Sequence, residues 1–240
     1  MPRLNNGLEV LKGISKVEMF SIVSTTPGDT VTTAVLAKLG ASIGVLAITN
    51  FAAADPVFII GDGGVELNAI GTPNATMPLK YKAALPQSAG ARLVEAVARN
   101  LGHVTGAGVQ YSASLQLTPI DAATSVTPIA YQRGAGELSA SLALRGLNNL
   151  NIQTAHGIDE GESGAGTEAD PYQIVVGGVD LGTHGIQCMR VHGYRFDGKL
   201  VIWDYLNITI EVQAQINKGG STPAEIPLKV KMDTMVQRIW

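Results

Sequence analysis

Two histidines and one cysteine recur at four-residue intervals towards the C-terminal end of the chain: His184, Cys188 and His192. On a helix this spacing would place all three on one face, where imidazole and thiolate groups are suitable zinc ligands. The surrounding segment GIQCMRVHGYRF instead indicates a strand ahead of a turn. Four residues of a strand span about 13 Å, whereas zinc–ligand bonds are about 2 Å long. We therefore predict that these residues bind no metal and that Cys188 is a small, half-buried residue.

A second candidate is the glycine-rich loop within VFIIGDGGVELNAIG, residues 57–71. A loop that binds nucleotide phosphates opens directly into a helix, and a P-loop also ends in Lys-Ser or Lys-Thr. Here Val65 and Leu67 continue an apolar alternation, and no such lysine follows the glycines. Asp62-Gly63 between two apolar runs is instead typical of a two-residue hairpin turn. The sequence therefore predicts a hairpin and no cofactor.

The acidic stretch DEGESGAGTEAD, residues 159–170, holds five carboxylates and no cation. Asp159 and Asp170 match the first and twelfth positions of an EF-hand loop, but Gly161 occupies the third position and the flanks are not helical. We expect a solvated loop whose charges repel one another. His156 with Asp159 is the pair that would suit a small hydrolase, and no further partner for them can be named from the sequence. We therefore expect a protein that is not an enzyme.

The composition limits the class of protein. Charged residues make up 15% of the 240 residues, and the net charge of −3 gives no electrostatic basis for binding nucleic acid or an anionic membrane. The low charge has two explanations: self-association through uncharged surfaces, or a monomer whose surface is rich in Ser, Thr and Asn. The single cysteine excludes an internal disulfide, and no segment suits a signal core or a membrane span. We expect a soluble protein that folds in a reducing compartment.

The clearest periodicity lies near the C-terminal end. In LNITIEVQAQIN, residues 206–217, apolar and polar residues alternate strictly, which predicts a long, half-buried antiparallel strand. The turn-rich KGGSTP follows, and EIPLKVKMD then alternates again, so the two runs form a long hairpin. Pro227 has no N–H to donate, which places the returning strand at an edge or a bulge.

The remaining segments predict a mainly β fold with one or two short helices. Further strands are VQYSASLQL and ELSASLALRG, and a second hairpin turns at Asp197-Gly198. Helices are predicted over residues 88–102 and residues 30–39, where apolar residues recur at helical spacing before a glycine. The expected organisation is an N-terminal arm with a short helix (1–40), a small β module ending in a helix (41–105) and a main antiparallel β-sandwich (106–240), within one compact unit.

The segment from residue 40 to residue 95 resembles a small β module of phage structural proteins. It reads GASIGVLAITNFAAADPVFIIGDGG and then TMPLKYKAALPQSAGARL. Ala54 stands where that module usually has a glycine, and Gln87 stands near its usual histidine. The module carries no catalytic signature.

From residue 106 onward the order of features resembles the tail tube (major tail) proteins of long-tailed bacteriophages. The resemblance is carried by TPIAYQRGAGELSASLALRGLNNLNIQTAHG and by RVHGYRFDGKLVIWDYLNITIEVQAQINKGGSTPAEIPLKVKMDT. It implies a β-sandwich or barrel-like subunit of the tail-tube type, six of which form a ring whose strands join into an inner β-barrel. Rings then stack into a tube through which DNA passes without specific binding. The resemblance also implies a place in the virion tail after synthesis in the host cytoplasm, with other virion proteins as further partners.

This resemblance implies that the functional site is an interface between copies of the chain. The inter-subunit sheet is expected on the long hairpin, at Leu206, Ile208, Ile210, Val212, Ile226, Leu228 and Val230. Asp159, Glu160 and Glu162 are expected to face the lumen or the stacking contact between rings. Two alternatives stay open: a capsid decoration or other head protein, which would form trimers on a shell, and a small hydrolase.

Overall fold

The computed structural model describes residues 11–22, 27–120, 130–145, 185–195, 197–211 and 225–239, together with Asn151 and Thr154. The protein is mainly β: strands make up 69% of the residues that the structure describes, and almost none of these residues is helical. The strands in chain order are β1 (Leu11–Ile22), β2 (Asp29–Val31), β3 (Ser42–Gly44), β4 (Pro56–Gly61), β5 (Gly64–Ala69), β6 (Thr76–Pro78), β7 (Arg92–Gly102), β8 (Val104–Ile120), β9 (Ala130–Arg145), β10 (Gln187–Arg195), β11 (Leu200–Glu211) and β12 (Glu225–Ile239). In the part of the chain that the structure describes, no helix is both long and apolar enough to cross a membrane.

Most strands belong to one sheet, in the order β5-β4-β7-β1-β10-β11-β12-β9-β8, and β2 also pairs with β7. The short strands β3 and β6 form a separate ladder. All the described ladders are antiparallel. The prediction of a mainly β, antiparallel fold is therefore confirmed.

Both Asp-Gly dipeptides connect paired strands, as predicted. Asp62-Gly63 joins β4 to β5, with Gly61 opposite Gly64 across the turn. Gly64 has a φ of 101°, in the region that favours glycine. Asp197-Gly198 joins β10 to β11. The glycine-rich loop of the sequence is thus a hairpin turn.

The helix predicted over residues 88–102 is wrong, because most of this segment is β7. The strand pairs with β1 and β2 along one edge and with β4 along the other. Its apolar residues fit a helical stripe, but they serve a strand that is covered on both faces: Leu93 and Val94 are adjacent, and both are fully buried. Pairing with neighbouring strands has overridden local propensity here.

The helix predicted over residues 30–39 is also wrong. The segment begins as β2, and isolated bridges join it to Val45 and to Gln87. Leu39 has a φ of 67°, a left-handed conformation that a helix interior does not use. The backbone of this segment therefore bonds to distant parts of the chain instead of to its own turns.

The beginning of the described chain is a central strand. β1 lies between β7 and β10, and Met19 and Phe20 are both buried on opposite faces of the sheet. The expected N-terminal arm therefore does not describe residues 11–22, which belong to the sheet. The domain boundaries placed at residues 40 and 105 stay predictions.

Buried apolar side chains form three clusters. The main core lies on one face of β1 and β10 and extends to β9 and β12; it includes Val17, Met189, Val191, Leu228 and Val230. The junction core lies on the opposite face and includes Phe20, Phe58, Val94, Cys188 and Leu206. The third core lies mostly within the β2–β6 segment (residues 27–91), with Ile43, Val57, Ile59 and Met77, and also includes Leu93 of β7.

β11 and β12 pair with each other, as the predicted long C-terminal hairpin requires. β11 pairs with β12 so that Ile208 lies opposite Met232 and Ile210 lies opposite Val230. β11 begins earlier than predicted, at Leu200, because the apolar run VIWDYL continues the same strand. Val212 lies outside the described residues.

Asn207 reverses the faces of β11. Its φ is 48°, so the chain makes one left-handed step in mid-strand, and its Nδ2 donates a hydrogen bond to Asp233 on β12. As a result, Leu206 packs in the junction core, whereas Ile208 and Ile210 pack against the main core. The expectation that these three residues share one face is wrong for Leu206.

Beyond this kink the hairpin belongs to a section of sheet made by β11, β12, β9 and β8. Residues 208–211 of β11 pair with β12, residues 225–232 of β12 pair with β9, and β9 pairs with β8. Before the kink, β11 pairs with β10 as well as with β12. One hairpin therefore connects two parts of the sheet, and the section beyond the kink is called the four-strand section below.

Candidate functional site

The predicted interface side chains lie in the interior of the subunit. The described members are buried or partly buried: Leu206, Ile208, Ile210, Ile226, Leu228 and Val230. They stabilise the cores, so the strands that carry them can join a second copy only through backbone edges. The other predicted residues, Val212, Asp159, Glu160 and Glu162, lie outside the described residues.

The four-strand section has two edges without a partner strand among the described residues. One is the edge of β11 over residues 208–211, because the ladder with β10 ends at Tyr205. The other is the outer edge of β8, the last strand of the order. β12 does not offer an edge here, since Val230 pairs with both Ile210 and Ala140. Pro227 pairs with Ala143 of β9, and no partner on its other side is among the described residues, so the expectation of an edge or a bulge at Pro227 stays a prediction.

The face of the four-strand section that points away from the main core is polar. Alternation along the strands places Ser112, Ser139, Ser141 and Thr209 on it. Its lysines on β12 lie against carboxylates: Lys229 Nζ is 2.5 Å from Glu211 Oε2, and Lys231 Nζ is 3.2 Å from Glu137 Oε1. This face is hydrophilic, and both of these cations are neutralised by neighbours.

A buried cluster of charges connects β10, β11 and β12 to Glu66 on β5. Arg190 on β10 donates from Nε and Nη2 to the two carboxylate oxygens of Asp204 on β11, at 2.5 and 3.0 Å. Arg238 on β12 donates from Nη1 to Asp204 and from Nη2 to Glu66 Oε1, the latter at 3.3 Å. Asp204 and Glu66 are completely buried. The cluster therefore pairs two guanidinium groups with two carboxylates.

Backbone groups and an aromatic ring complete this cluster. The Glu66 carboxylate accepts hydrogen bonds from the backbone N–H groups of Ala84 and Leu85, at 3.0 and 2.9 Å. The Tyr81 ring lies 5.4 Å from the guanidinium carbon of Arg190 and 5.1 Å from that of Arg238. Such contacts fix the chain around residues 81–85 against the sheet.

Beside this cluster, a groove of about 680 Å³ separates β12 from the β2–β6 segment. Residues 234–239 line one wall, and residues 80–85 with Lys38 and Leu39 line the other. Every charged side chain among these lining residues is a cation: Lys38, Lys80, Lys82 and Arg238. The groove therefore presents positive charge although the chain as a whole is acidic.

The β2–β6 segment also exposes large apolar side chains. Leu46 and Val35 are 74% and 71% exposed, and Val31, Leu39 and Ile48 are exposed as well. Val31 and Leu46 are neighbours, since the Leu46 N–H donates to the Val31 carbonyl at 3.0 Å. Grouped apolar residues of this kind are typical of protein–protein contact surfaces.

The His–Cys spacing belongs to a strand, as predicted. Cys188 lies in β10 and is fully rather than half buried, and burial raises its pKa to about 12. His192 Nε2 contacts Glu18 Oε2 at 2.7 Å across the ladder between β10 and β1. His184 lies outside the described residues. Among the residues that the structure describes, no group of three or more His, Cys, Asp or Glu side chains could hold a metal ion.

The Glu18 carboxyl on β1 has a strongly lowered pKa. Its hydrogen bond with His192, together with Lys16 Nζ at 2.5 Å, lowers its pKa to about 2. The three side chains form a half-buried pairing on β1 and β10. The lowered pKa of Glu18 therefore follows from its structural contacts with His192 and Lys16.

A smaller cavity, of about 320 Å³, lies at the rim of the main core. Aromatic and aliphatic residues line it, including Tyr111, Trp203 and Tyr205, and among its described lining residues there is no Asp, Glu, His, Lys or Arg. The pair His156 and Asp159, suggested for a hydrolase, lies outside the described residues.

The buried charge cluster and the groove are not apparent from sequence periodicity. Two signals point to the cluster: Asp204 interrupts the apolar run VIWDYL, and Glu66 interrupts GVELNAI. A carboxylate in a buried strand requires a cation or several donors. The sequence does not say which cation.

No protein-family model matches the sequence, and a search of curated proteins found no match. The function is therefore inferred from the geometry of the chain itself.

Proposed function

We propose that this chain is a virion structural protein, a tail tube (major tail) protein of a long-tailed bacteriophage, which forms rings of six copies that stack into a tube. Its principal partner is a further copy of itself, and other virion proteins join the tube ends. DNA passes through the tube without specific binding. The protein is made in the host cytoplasm and resides in the virion tail.

The observation that carries this proposal is the pair of open edges on the four-strand section. A closed ring needs a heterologous contact, in which one surface of a copy meets a different surface of the next. The edge of β11 over residues 208–211 and the outer edge of β8 are two different edges of one section. Unpaired strand edges are templates for pairing with another chain. Joining β11 of one copy to β8 of the next would continue the sheet around a ring.

The two faces of the four-strand section support the same proposal. One face packs on the main core, so the other must face the lumen if the sections join into an inner barrel. That face carries serine and threonine side chains, and Lys229 and Lys231 on it are paired with carboxylates. DNA phosphates bind basic surfaces strongly, so a face with neutralised lysines suits a channel that must release DNA.

Negative-stain electron microscopy across a protein concentration series tests the proposal. Six-fold rings, or stacked tubes with an open channel, are the expected result. A stable monomer at every concentration contradicts it, and trimers would favour the capsid decoration alternative.

Disulfide trapping tests the strand pairing itself. Thr209→Cys on β11 is combined in turn with Gln110→Cys, Ser112→Cys or Ser114→Cys on β8, so that several registers are sampled. Because Cys188 is buried, only the introduced thiols should react. One combination should give a ladder of cross-linked oligomers on a denaturing gel, whereas each single cysteine variant should give no ladder. The absence of a ladder from all combinations, in protein that forms rings, would place the ring joint elsewhere.

A further inference from the structure

We propose that the cationic groove binds the acidic segment of residues 159–170 from a second copy of this chain, added as an extended strand along the edge of β12. The inference rests on the proposed self-assembly and names the surface that receives the next copy. A contact between a groove and a different segment is heterologous, so it repeats from copy to copy as an open stack requires.

The first support is the open edge of β12. β9 pairs with β12 only as far as Met232, so residues 234–239 have a described partner strand, β11, on one side alone. All six of these consecutive residues line the groove. The face of a strand would contribute only alternate residues, so the groove follows the edge of the strand.

This edge is long enough to bind a peptide. Six residues of strand extend about 20 Å and present a row of backbone N–H and C=O groups. An added strand satisfies such groups and gains affinity from main-chain hydrogen bonds, while pockets and charges supply specificity.

The opposite wall contributes side chains and not a second edge. The N–H of Ala83 donates to the Gly40 carbonyl at 2.8 Å, and the N–H groups of Ala84 and Leu85 donate to Glu66. These donors are already used inside the protein. A peptide in the groove would therefore pair with β12 and contact the other wall through side chains.

The charges of the groove identify the chemistry of the occupant. Lys38, Lys80 and Lys82 are exposed and make no ion pair with a described residue, and none of the described residues that line the groove is acidic. The segment DEGESGAGTEAD carries five carboxylates and no cation. Its other residues are Gly, Ala, Ser and Thr, so no bulky side chain opposes its entry. The charges of the segment and of the groove are complementary.

Peptide binding measures this contact separately from assembly. A fluorescent peptide with the sequence of residues 157–172 is titrated with the full-length protein and followed by anisotropy. We expect saturable binding that weakens at least about tenfold in the triple variant Lys38→Glu, Lys80→Glu and Lys82→Glu, because each exposed attraction becomes a repulsion. Lys199→Glu is the matched control, since Lys199 is an exposed lysine on the β10–β11 turn, and it should bind the peptide like the wild type.

Three results of this titration overturn the inference. The first is no binding to the wild type, and the second is equal binding by the triple variant. The third is that the chain's own acidic segment already occupies the groove at dilutions where the protein is monomeric. The segment would then bind within one copy and not between two copies. A peptide in which Asp and Glu are replaced by Asn and Gln should not bind.

Electron microscopy of the same variants separates this inference from the proposed function. The triple variant should form rings that do not stack. Adding Asp159→Lys, Glu160→Lys and Glu162→Lys to the triple variant should restore stacking, because both partners have then exchanged charge. Normal tubes from the triple variant would overturn the groove contact while leaving ring assembly intact. Peptide binding by a protein that never forms rings would overturn the proposed function and leave the groove as a peptide site.

Discussion

Asp204→Asn should destabilise the protein more than any single exposed charge change. Asp204 is completely buried and accepts hydrogen bonds from both Arg190 and Arg238. The substitution keeps the size of the side chain but removes the charge, so Arg190, whose side chain is only 7% exposed, loses its carboxylate partner. Removing one partner of a buried ion pair costs about 3–5 kcal/mol in the free energy of unfolding. For a chain of this size, that corresponds to a fall in Tm of roughly 6–20 °C.

The matched control is Asp29→Asn. Asp29 also accepts a bidentate hydrogen bond from an arginine, with Arg92 Nη2 at 2.7 Å, but both side chains are more than two-fifths exposed. Exposed pairs contribute about 0–1 kcal/mol, so this variant should lose less than about 1 kcal/mol. Urea unfolding followed by circular dichroism, at one low protein concentration, measures both variants. Equal losses in the two variants would refute the reasoning that burial decides the cost.

Three further predictions follow from individual residues. Asn207→Val should cost about 1–2 kcal/mol in the free energy of unfolding, because a β-branched residue resists a φ of 48°, whereas Asn207→Gly should cost less; urea unfolding compares the two. The pKa of Glu18 is lowered from 4.5 to about 2, so its contribution to stability is complete above pH 4.5 and is lost as the pH falls towards 2. Between pH 4.5 and pH 2, the midpoint of urea unfolding should therefore change less in Glu18→Gln than in the wild type. Burial raises the pKa of Cys188 to about 12, so this thiol should resist iodoacetamide at pH 8 in the folded protein and react in urea. Mass spectrometry of the alkylated chain measures the labelling. Rapid labelling of the folded protein would contradict the buried position of Cys188.

The sequence predicts the parts of the fold in which local patterns and pairing agree. Alternation identifies β8, β9, β11 and β12, and the Asp-Gly dipeptides identify two turns, because both signals depend on residues that are close in sequence. β7 was missed because a strand covered on both faces has no alternation, so its apolar residues resemble a helical stripe. Leu206 was assigned to the wrong face because a single left-handed residue, Asn207, changes the phase of the alternation.

The candidate site was less accessible to prediction for a physical reason. The groove exists because residues 80–85 lie opposite residues 234–239, and nothing in either segment alone identifies the other. The buried cluster likewise draws Glu66, Arg190, Asp204 and Arg238 from four different strands. Only the isolated carboxylates within apolar runs hint at it. Charges that pair across distant strands are a property of the three-dimensional fold.

The kink at Asn207 connects the two surfaces that the proposed assembly would use. On one side of it, residues 208–211 of β11 provide an open edge of the four-strand section; on the other side, residues 234–239 of β12 provide the open edge of the groove. Both edges belong to one hairpin, so the angle between a ring joint and a stacking contact is set by how that hairpin turns between the two parts of the sheet. The contact between Asn207 and Asp233 lies at the turning point. Asn207→Gly, which removes this contact but tolerates the backbone conformation, should therefore leave peptide binding in the groove unchanged and make the stacked rings less regular under the electron microscope. Tubes as regular as those of the wild type would show that the main and junction cores alone fix the angle.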